Sequence, residues 1–258
     1  MRAVGLHPDV VVVTSRFWQT TCTLVRSGEE AFMVDSPVLP DELELVPAIA
    51  AQAQFRVVGR MATHADWDHL LGGYSFPGAP LAAGETSAAR LRNAPGAAQR
   101  ELREFDDEHY VERPGPLSLP TPQMLPVPGH CGLGEHELEL HPADGHTVDG
   151  MAILIPWAAV LVCGDYLSPV EIPWISEGGS AAAYLATLDR LEPLVERARH
   201  VVPGHGAVLD AERALAILRE DRAYVRALVE QGADAPLPLA RRTGAQRKIH
   251  AENVSRVR

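Results

Sequence analysis

The stretch Thr63-His64-Ala65-Asp66-Trp67-Asp68-His69 constrains this chain most. It sets two imidazoles and two carboxylates within six residues, directly after an apolar run, Arg56 to Ala62, that reads as a buried strand. Burying such groups is costly unless they are paired or bound to metal. A solvated loop would avoid the cost but leaves the position at the end of an apolar strand unexplained. Divalent metals such as zinc take imidazole nitrogen and carboxylate oxygen, so the spacing points to a metal site.

Further donors stand in similar places. His146 follows Asp144-Gly145 before the apolar run Met151 to Ile155. Asp165 follows Gly164 after the run Val160 to Cys163, and His205 sits in Pro203-Gly204-His205-Gly206 after His200 to Val202. Each lies where a strand runs into a turn, and from such positions side chains of separate strands can converge on one sheet edge. His130 and His141 flank the His146 region and read as loop or surface histidines, available as substitute ligands. Cys22, Cys131 and Cys163 show no Cys-x-x-Cys spacing, so a disulfide framework or zinc knuckle has no support, and Cys163 is expected to face the core.

The rest of the chain supplies alternating strands and helices. Asp9 to Thr14, Thr20 to Val25 and Ala31 to Val34 predict an antiparallel meander, the last two joined at Arg26-Ser27-Gly28. Pro40 starts a helix with Leu43, Val46, Ile49 and Ala50 on one face. Glu85 to Phe105 reads as helix broken at Pro95-Gly96, and Glu137 to His141 as a strand. A helix from near Ser180 carries Tyr184, Leu188, Leu191 and Val195, with Pro193 expected to kink it or end it early. Asp210 fits the N-cap of a helix bearing Leu215, Leu218, Val225, Leu228 and Val229 and stopped by Gly232. A last helix is predicted from Thr243. Residues 1–258 are expected to form one domain, with carboxy-terminal helices from about 210.

With 46% hydrophobic residues the chain can bury a core, and its formal charge of −11, from 34 acids and 23 bases, argues against long nucleic acid as a partner. Arg241, Arg242, Arg247, Lys248, Arg256 and Arg258 form a local basic segment, read as a solvated helix face in preference to an anion-binding patch. No apolar run approaches a membrane span and no leader pattern opens the chain, so a cytoplasmic location with no membrane partner is expected.

The order and spacing of His64/Asp66/Asp68/His69, Gly145-His146-Thr147, Gly164-Asp165 and Pro203-Gly204-His205-Gly206 resemble the metallo-β-lactamase fold superfamily. Its pattern is His-x-His-x-Asp-His, then His, Asp and His. Phe17-Trp18-Gln19-Thr20-Thr21-Cys22 and Val34-Asp35 are similar to that family's opening strands. The resemblance implies an α/β fold, a four-layer αββα sandwich of two mixed sheets flanked by helices, with the site in a cleft at the sheet edge. Carried over residue by residue, it gives one divalent metal ion His64, Asp66 and His146, and the other Asp68, His69 and His205, with Asp165 bridging. Asp66 departs from the pattern, standing where the second histidine would be. Two histidines and a carboxylate make a harder site than three histidines, which raises manganese or iron relative to zinc. Flavodiiron proteins have Glu at this position and some phosphodiesterase or nuclease-like branches have Asp. Alternatively the first site is weak or empty, because Asp is shorter than His.

The implied activity is that of a binuclear metal-dependent hydrolase, in which metal-bound hydroxide attacks a small ester-like substrate such as a thioester, lactone or carboxylic ester. Asp68 and Asp165 are the catalytic candidates, Asp68 orienting the water. Trp67, Tyr166 and Trp174 are candidates for a pocket wall and equally for core packing, and Thr147 for support of its ligand neighbour. His250 resembles a carboxy-terminal histidine of some relatives and is read as a helix-surface residue. The competing functions are a small-molecule phosphodiesterase, which Asp66 favours, a β-lactam hydrolase, a di-iron redox protein, and a catalytically silent metal-binding protein. A homo-oligomer formed through the tail helix is a further expectation.

Overall fold

Runs of β-branched residues build the amino-terminal meander of the computed structural model, which describes residues 1–257. Strands β1 (Arg2–His7), β2 (Val10–Thr14), β3 (Thr21–Ser27) and β4 (Glu30–Asp35) pair antiparallel in succession. β1 had no apolar run to announce it: it is an edge strand, mostly solvent-facing, joined to β2 by backbone pairing. The chain then crosses through α1 (Pro40–Gln52), with Pro40 in the first turn and Leu43, Val46 and Ala50 buried, to β5 (Val57–Ala62), parallel to β4. After α2 (Gly72–Ser75) come β6 (Leu81–Gly84), α3 (Glu85–Asn93), α4 (Ala97–His109) and β7 (Gln123–Leu125), β6 and β7 extending the sheet in parallel. Pro95-Gly96 separates α3 from α4 as expected, with Gly96 at φ +78°, a conformation that glycine adopts without steric cost. A hairpin of β8 (Gly129–Leu133) and β9 (His136–Pro142) follows. Apart from the last two residues of β9, these elements belong to the first of two compact units, Met1–Leu140, whose seven-stranded sheet has the order β1-β2-β3-β4-β5-β6-β7.

The second unit, His141–Arg258, holds β10 (Met151–Ile155), β11 (Val160–Val162), α5 (Ala181–Arg197), β12 (His200–Val202), β13 (Leu209–Asp210), α6 (Ala211–Gln231) and α7 (Gly244–Arg256). Its strands lie in the order β13-β12-β11-β10, with β11 and β12 parallel and the other neighbours antiparallel. β10 is buried along its whole length, and Cys163 beyond β11 faces the core. Pro193 does not end α5, because Leu194 and Val195 continue the buried face set by Tyr184, Leu188 and Leu191. The Asp210 carboxylate caps α6 by accepting from the Arg213 amide at 2.8 Å, and Gly232 closes it. Val229 is 56% exposed, so the buried stripe of α6 runs instead through Ala214, Ile217, Leu218, Tyr224, Val225 and Leu228.

Two mixed sheets flanked by helices make this the αββα class expected from the sequence. The basic segment departs from expectation. Arg241 is 1% exposed and sits against Asp221, itself 1% exposed, so this member is a buried ion-pair partner and not part of a solvated face. Arg258 lies outside the described residues. Among the described residues no helix is long and apolar enough to cross a membrane.

Candidate metal centre

In the first unit β5 delivers the donor-rich stretch. Thr63 follows the last strand residue, and a short 3₁₀ turn, Trp67–His69, places Asp68 and His69 one after the other. His64, Asp68 and His69 are buried and Asp66 is 15% exposed. His64 Nε2 lies 3.5 Å from Asp66 Oδ2, His69 Nε2 lies 3.6 Å from Asp68 Oδ2, and the two imidazole centroids are 4.2 Å apart. Asp35, at the end of β4, organises this cluster from one side. It accepts from the Thr63 amide at 2.8 Å and the Thr63 hydroxyl at 2.9 Å, and its Oδ2 lies 3.1 Å from His69 Nδ1. With its proton given to Asp35, the Thr63 oxygen is left to accept from His64 Nδ1 at 3.1 Å. Both Nδ1 atoms thus face oxygen, and both Nε2 atoms face carboxylates. Arg90 on α3 holds the other oxygen of Asp66 at 2.7 Å.

In the second unit the turns at three strand ends supply one cluster. His146 precedes β10, Asp165 follows β11 and His205 follows β12, and Asp165 Oδ2 lies 3.4 Å from Nε2 of both His146 and His205. His146 Nδ1 donates to the Trp174 carbonyl at 2.8 Å, and because a carbonyl only accepts, the proton is fixed on Nδ1. The His146 backbone is held as firmly. Its amide donates to the Tyr166 hydroxyl at 3.0 Å, which in turn donates to the Asp144 carbonyl at 2.7 Å. Burial pushes the Tyr166 hydroxyl well up from its ordinary pKa, so it stays protonated for that role. The approach of Gly204 to Asp165 leaves no room for a side chain: a methyl there would overlap Asp165 Oδ1.

A carboxylate shared by two imidazole Nε2 atoms, and imidazoles whose Nδ1 is engaged by oxygen, are what a divalent metal requires of its donors. The donor set therefore fits metal. Trp174 lines a small cavity with His146 and Asp165. Trp67 is buried among Val38, Leu43 and Leu70, its ring 4.7 Å from Phe105 and 5.6 Å from Trp18. Thr147 is buried and donates to the Asp149 carbonyl at 2.8 Å. Tyr166 packs in the core at 4.5 Å from Tyr184. His250 Nδ1 lies 3.0 Å from the Tyr224 hydroxyl and its Nε2 3.2 Å from the Ala233 carbonyl. His130 is exposed on β8 and His141 partly buried at the end of β9. Asp35 appeared in the sequence only as part of a resembling strand, and Arg90 and the Trp174 carbonyl carried no signal there.

Two His/Asp clusters at strand ends of an αββα fold define a metal-dependent hydrolase. The family model described as "Metallo-beta-lactamase superfamily" matches residues 15–205, and the chain belongs to that superfamily. Among solved structures, a metallo-beta-lactamase family protein from Thermus thermophilus, TTHA1429, is 21% identical with a TM-score of 0.70, covering 97% of this chain and 92% of that one. The DIM-1 metallo-beta-lactamase exposed to ceftazidime is 17% identical with a TM-score of 0.63, covering 87% and 96%. A double mutant of the sec-alkyl sulfatase PisA1 is 15% identical with a TM-score of 0.70, covering 90% of this chain and 42% of that one. A search of curated proteins found no match.

Proposed function

We propose that this chain hydrolyses a small ester-like substrate, a thioester, lactone or carboxylic ester, with two divalent metal ions. One ion would be held by His64, Asp66 and His146, the other by Asp68, His69 and His205, with Asp165 shared between them. Zinc is the first choice of metal, and Asp66 opens the site to manganese or iron. When bound, the ions supply a nucleophilic water at neutral pH and polarise the substrate's carbonyl oxygen. The observation that carries this reading is the aim of the imidazoles. Asp35, Thr63 and the Trp174 carbonyl engage the Nδ1 atoms of His69, His64 and His146 and leave each Nε2 for metal.

In the reaction Asp68 orients the attacking water through a carboxylate oxygen and takes its proton there. Tyr166 and the Asp144 turn keep His146 in place, and Trp174, whose carbonyl holds the His146 ring, is assigned to the pocket wall beside it. A second reading, a small phosphodiester, is favoured by Asp66 and by the Arg90 guanidinium 2.7 Å from it, which brings a fixed cation beside the donors. The fold neighbours that hydrolyse a β-lactam or an alkyl sulfate widen the panel to be tried.

The test combines elemental analysis by plasma mass spectrometry with hydrolysis of chromogenic thioester, carboxylic ester, phosphodiester and cephalosporin substrates and of an alkyl sulfate. About two ions per chain and preference for a carboxyl ester or thioester supports the first reading. Preference for the phosphodiester selects the second. Asp165→Ala should abolish turnover in a folded protein, and full activity in that variant refutes the two-metal assignment.

A further inference from the structure

The segment from Ser168 to Ser176 has no sheet partner, yet several of its backbone polar groups are bonded by side chains of the carboxy-terminal tail. Arg241 Nη1 donates to the carbonyls of Ser168 at 3.1 Å and Glu171 at 2.7 Å. Gln246 Oε1 accepts from the Ile172 amide at 2.7 Å. Asn253 Oδ1 accepts from the Ile175 amide at 2.8 Å, while its Nδ2 donates to the Pro173 carbonyl at 2.7 Å. Arg241, Gln246 and Asn253 are all buried, and among the described residues of α7 the only apolar one buried with the latter two is Val254. The last helix is therefore docked by directional polar bonds beside the apolar contacts of Ile249, Val254 and Val257, and the polar bonds fix its register on the segment more sharply than an apolar face can.

The same segment holds the ligand-bearing turns from its other side. The Trp174 carbonyl takes the His146 Nδ1 proton, and the Ser176 amide and hydroxyl donate to the His146 carbonyl at 2.8 and 2.9 Å. The Ser168 hydroxyl donates to the His205 carbonyl at 2.8 Å. We propose that Gln246 and Asn253, with Arg241, are positioning residues that clamp the Ser168–Ser176 segment and thereby set the aim of His146 at its metal. This inference rests on the reading of His146, Asp165 and His205 as metal ligands. The path is short: Asn253 grips the residues on either side of Trp174, and Trp174 fixes the His146 ring. Loss of the grip frees the Trp174 peptide to rotate, and the imidazole turns with it.

The test uses the full chain loaded with cobalt(II), comparing wild type with Asn253→Ala, Gln246→Met and Gln246→Glu. Gln246→Met removes the acceptor for the Ile172 amide at similar volume, and Gln246→Glu retains it. Chelator competition, the cobalt visible spectrum and thermal unfolding of the metal-free protein are read in parallel. Asn253→Ala and Gln246→Met should yield cobalt at roughly tenfold lower chelator concentration with an altered spectrum, and Gln246→Glu should restore both. If Asn253→Ala fails to fold, the Gln246 pair decides. Wild-type chelator midpoints and spectra in the folded variants, with only the metal-free unfolding temperature lowered, overturn the clamp and leave α7 a purely structural element. A wild-type chain that binds no cobalt overturns the ligand assignment, and the inference falls with it.

Discussion

Replacing Arg241 by methionine should destabilise the protein in a pH-dependent way. Its guanidinium lies 2.6 Å from Asp221 Oδ1 and 3.1 Å from Glu220 Oε2, with two backbone carbonyls completing its bonds. Methionine keeps much of the apolar stem and removes every donor, leaving the fully buried Asp221 without its cation. Removing one partner of a buried pair costs about 3–5 kcal/mol, a large part of a typical folding free energy. Burial already pushes the Asp221 carboxyl up to about 7, with Arg241 pulling it down and Glu220 pushing it further up. A carboxyl with a higher pKa folded than unfolded binds more protons in the folded state. Its stabilising contribution is full below the unfolded value and is lost as pH rises through the folded one. Without Arg241 the folded value climbs higher, so the two proteins lose stability together up to about pH 7 and only the variant goes on losing it above, and its deficit should be larger at about pH 8 than at about pH 5. Urea unfolding of metal-free protein, followed by far-ultraviolet circular dichroism, measures this directly. The double variant Arg241→Met/Asp221→Leu should recover most of the loss, since it buries no unpaired charge. A single variant within about 1 kcal/mol of wild type at both pH values, or a deficit that shrinks as pH rises, refutes the reasoning.

Asp35→Asn should weaken metal binding by about 10–100-fold while the protein stays folded, because asparagine tolerates the left-handed backbone at φ +57° but carries no charge toward His69. Chelator competition reads the change, and unaltered affinity removes Asp35 from the site. Gly204→Ala forces a methyl onto Asp165 Oδ1 and should displace that carboxylate, lowering metal content without unfolding the chain. Elemental analysis matching wild type shows that the turn can yield. Asp66→His restores the usual superfamily donor and should shift preference toward zinc over manganese in competitive loading. An unchanged metal profile shows that Asp66 does not ligate.

Much of this architecture is written in local sequence. The apolar runs that become β2 to β5 and β10 to β12, the proline that opens α1, and the caps Asp210 and Thr243 act through neighbours a few residues away, where periodicity and side-chain chemistry suffice. The ligand candidates were legible for the same reason: His64, Asp66, Asp68 and His69 crowd one strand end, and His146, Asp165 and His205 each mark another. β1, β6, β7, β8 and β13 were missed, being short or solvent-facing strands recognised chiefly by backbone pairing.

The sequence by itself therefore determined the class of fold, the donor types and the departure at Asp66. Tertiary structure alone decided what aims those donors. The partner of the His146 ring is a backbone carbonyl 28 residues away, which leaves no trace in residue identity. Asp35 reaches His69 only because β4 and β5 pair in register, and Arg241 changes from a surface cation to a buried anchor only when the tail folds onto Asp221. Contacts between residues far apart in the chain depend on how elements pack, and local patterning, however strong, carries no information about that distance.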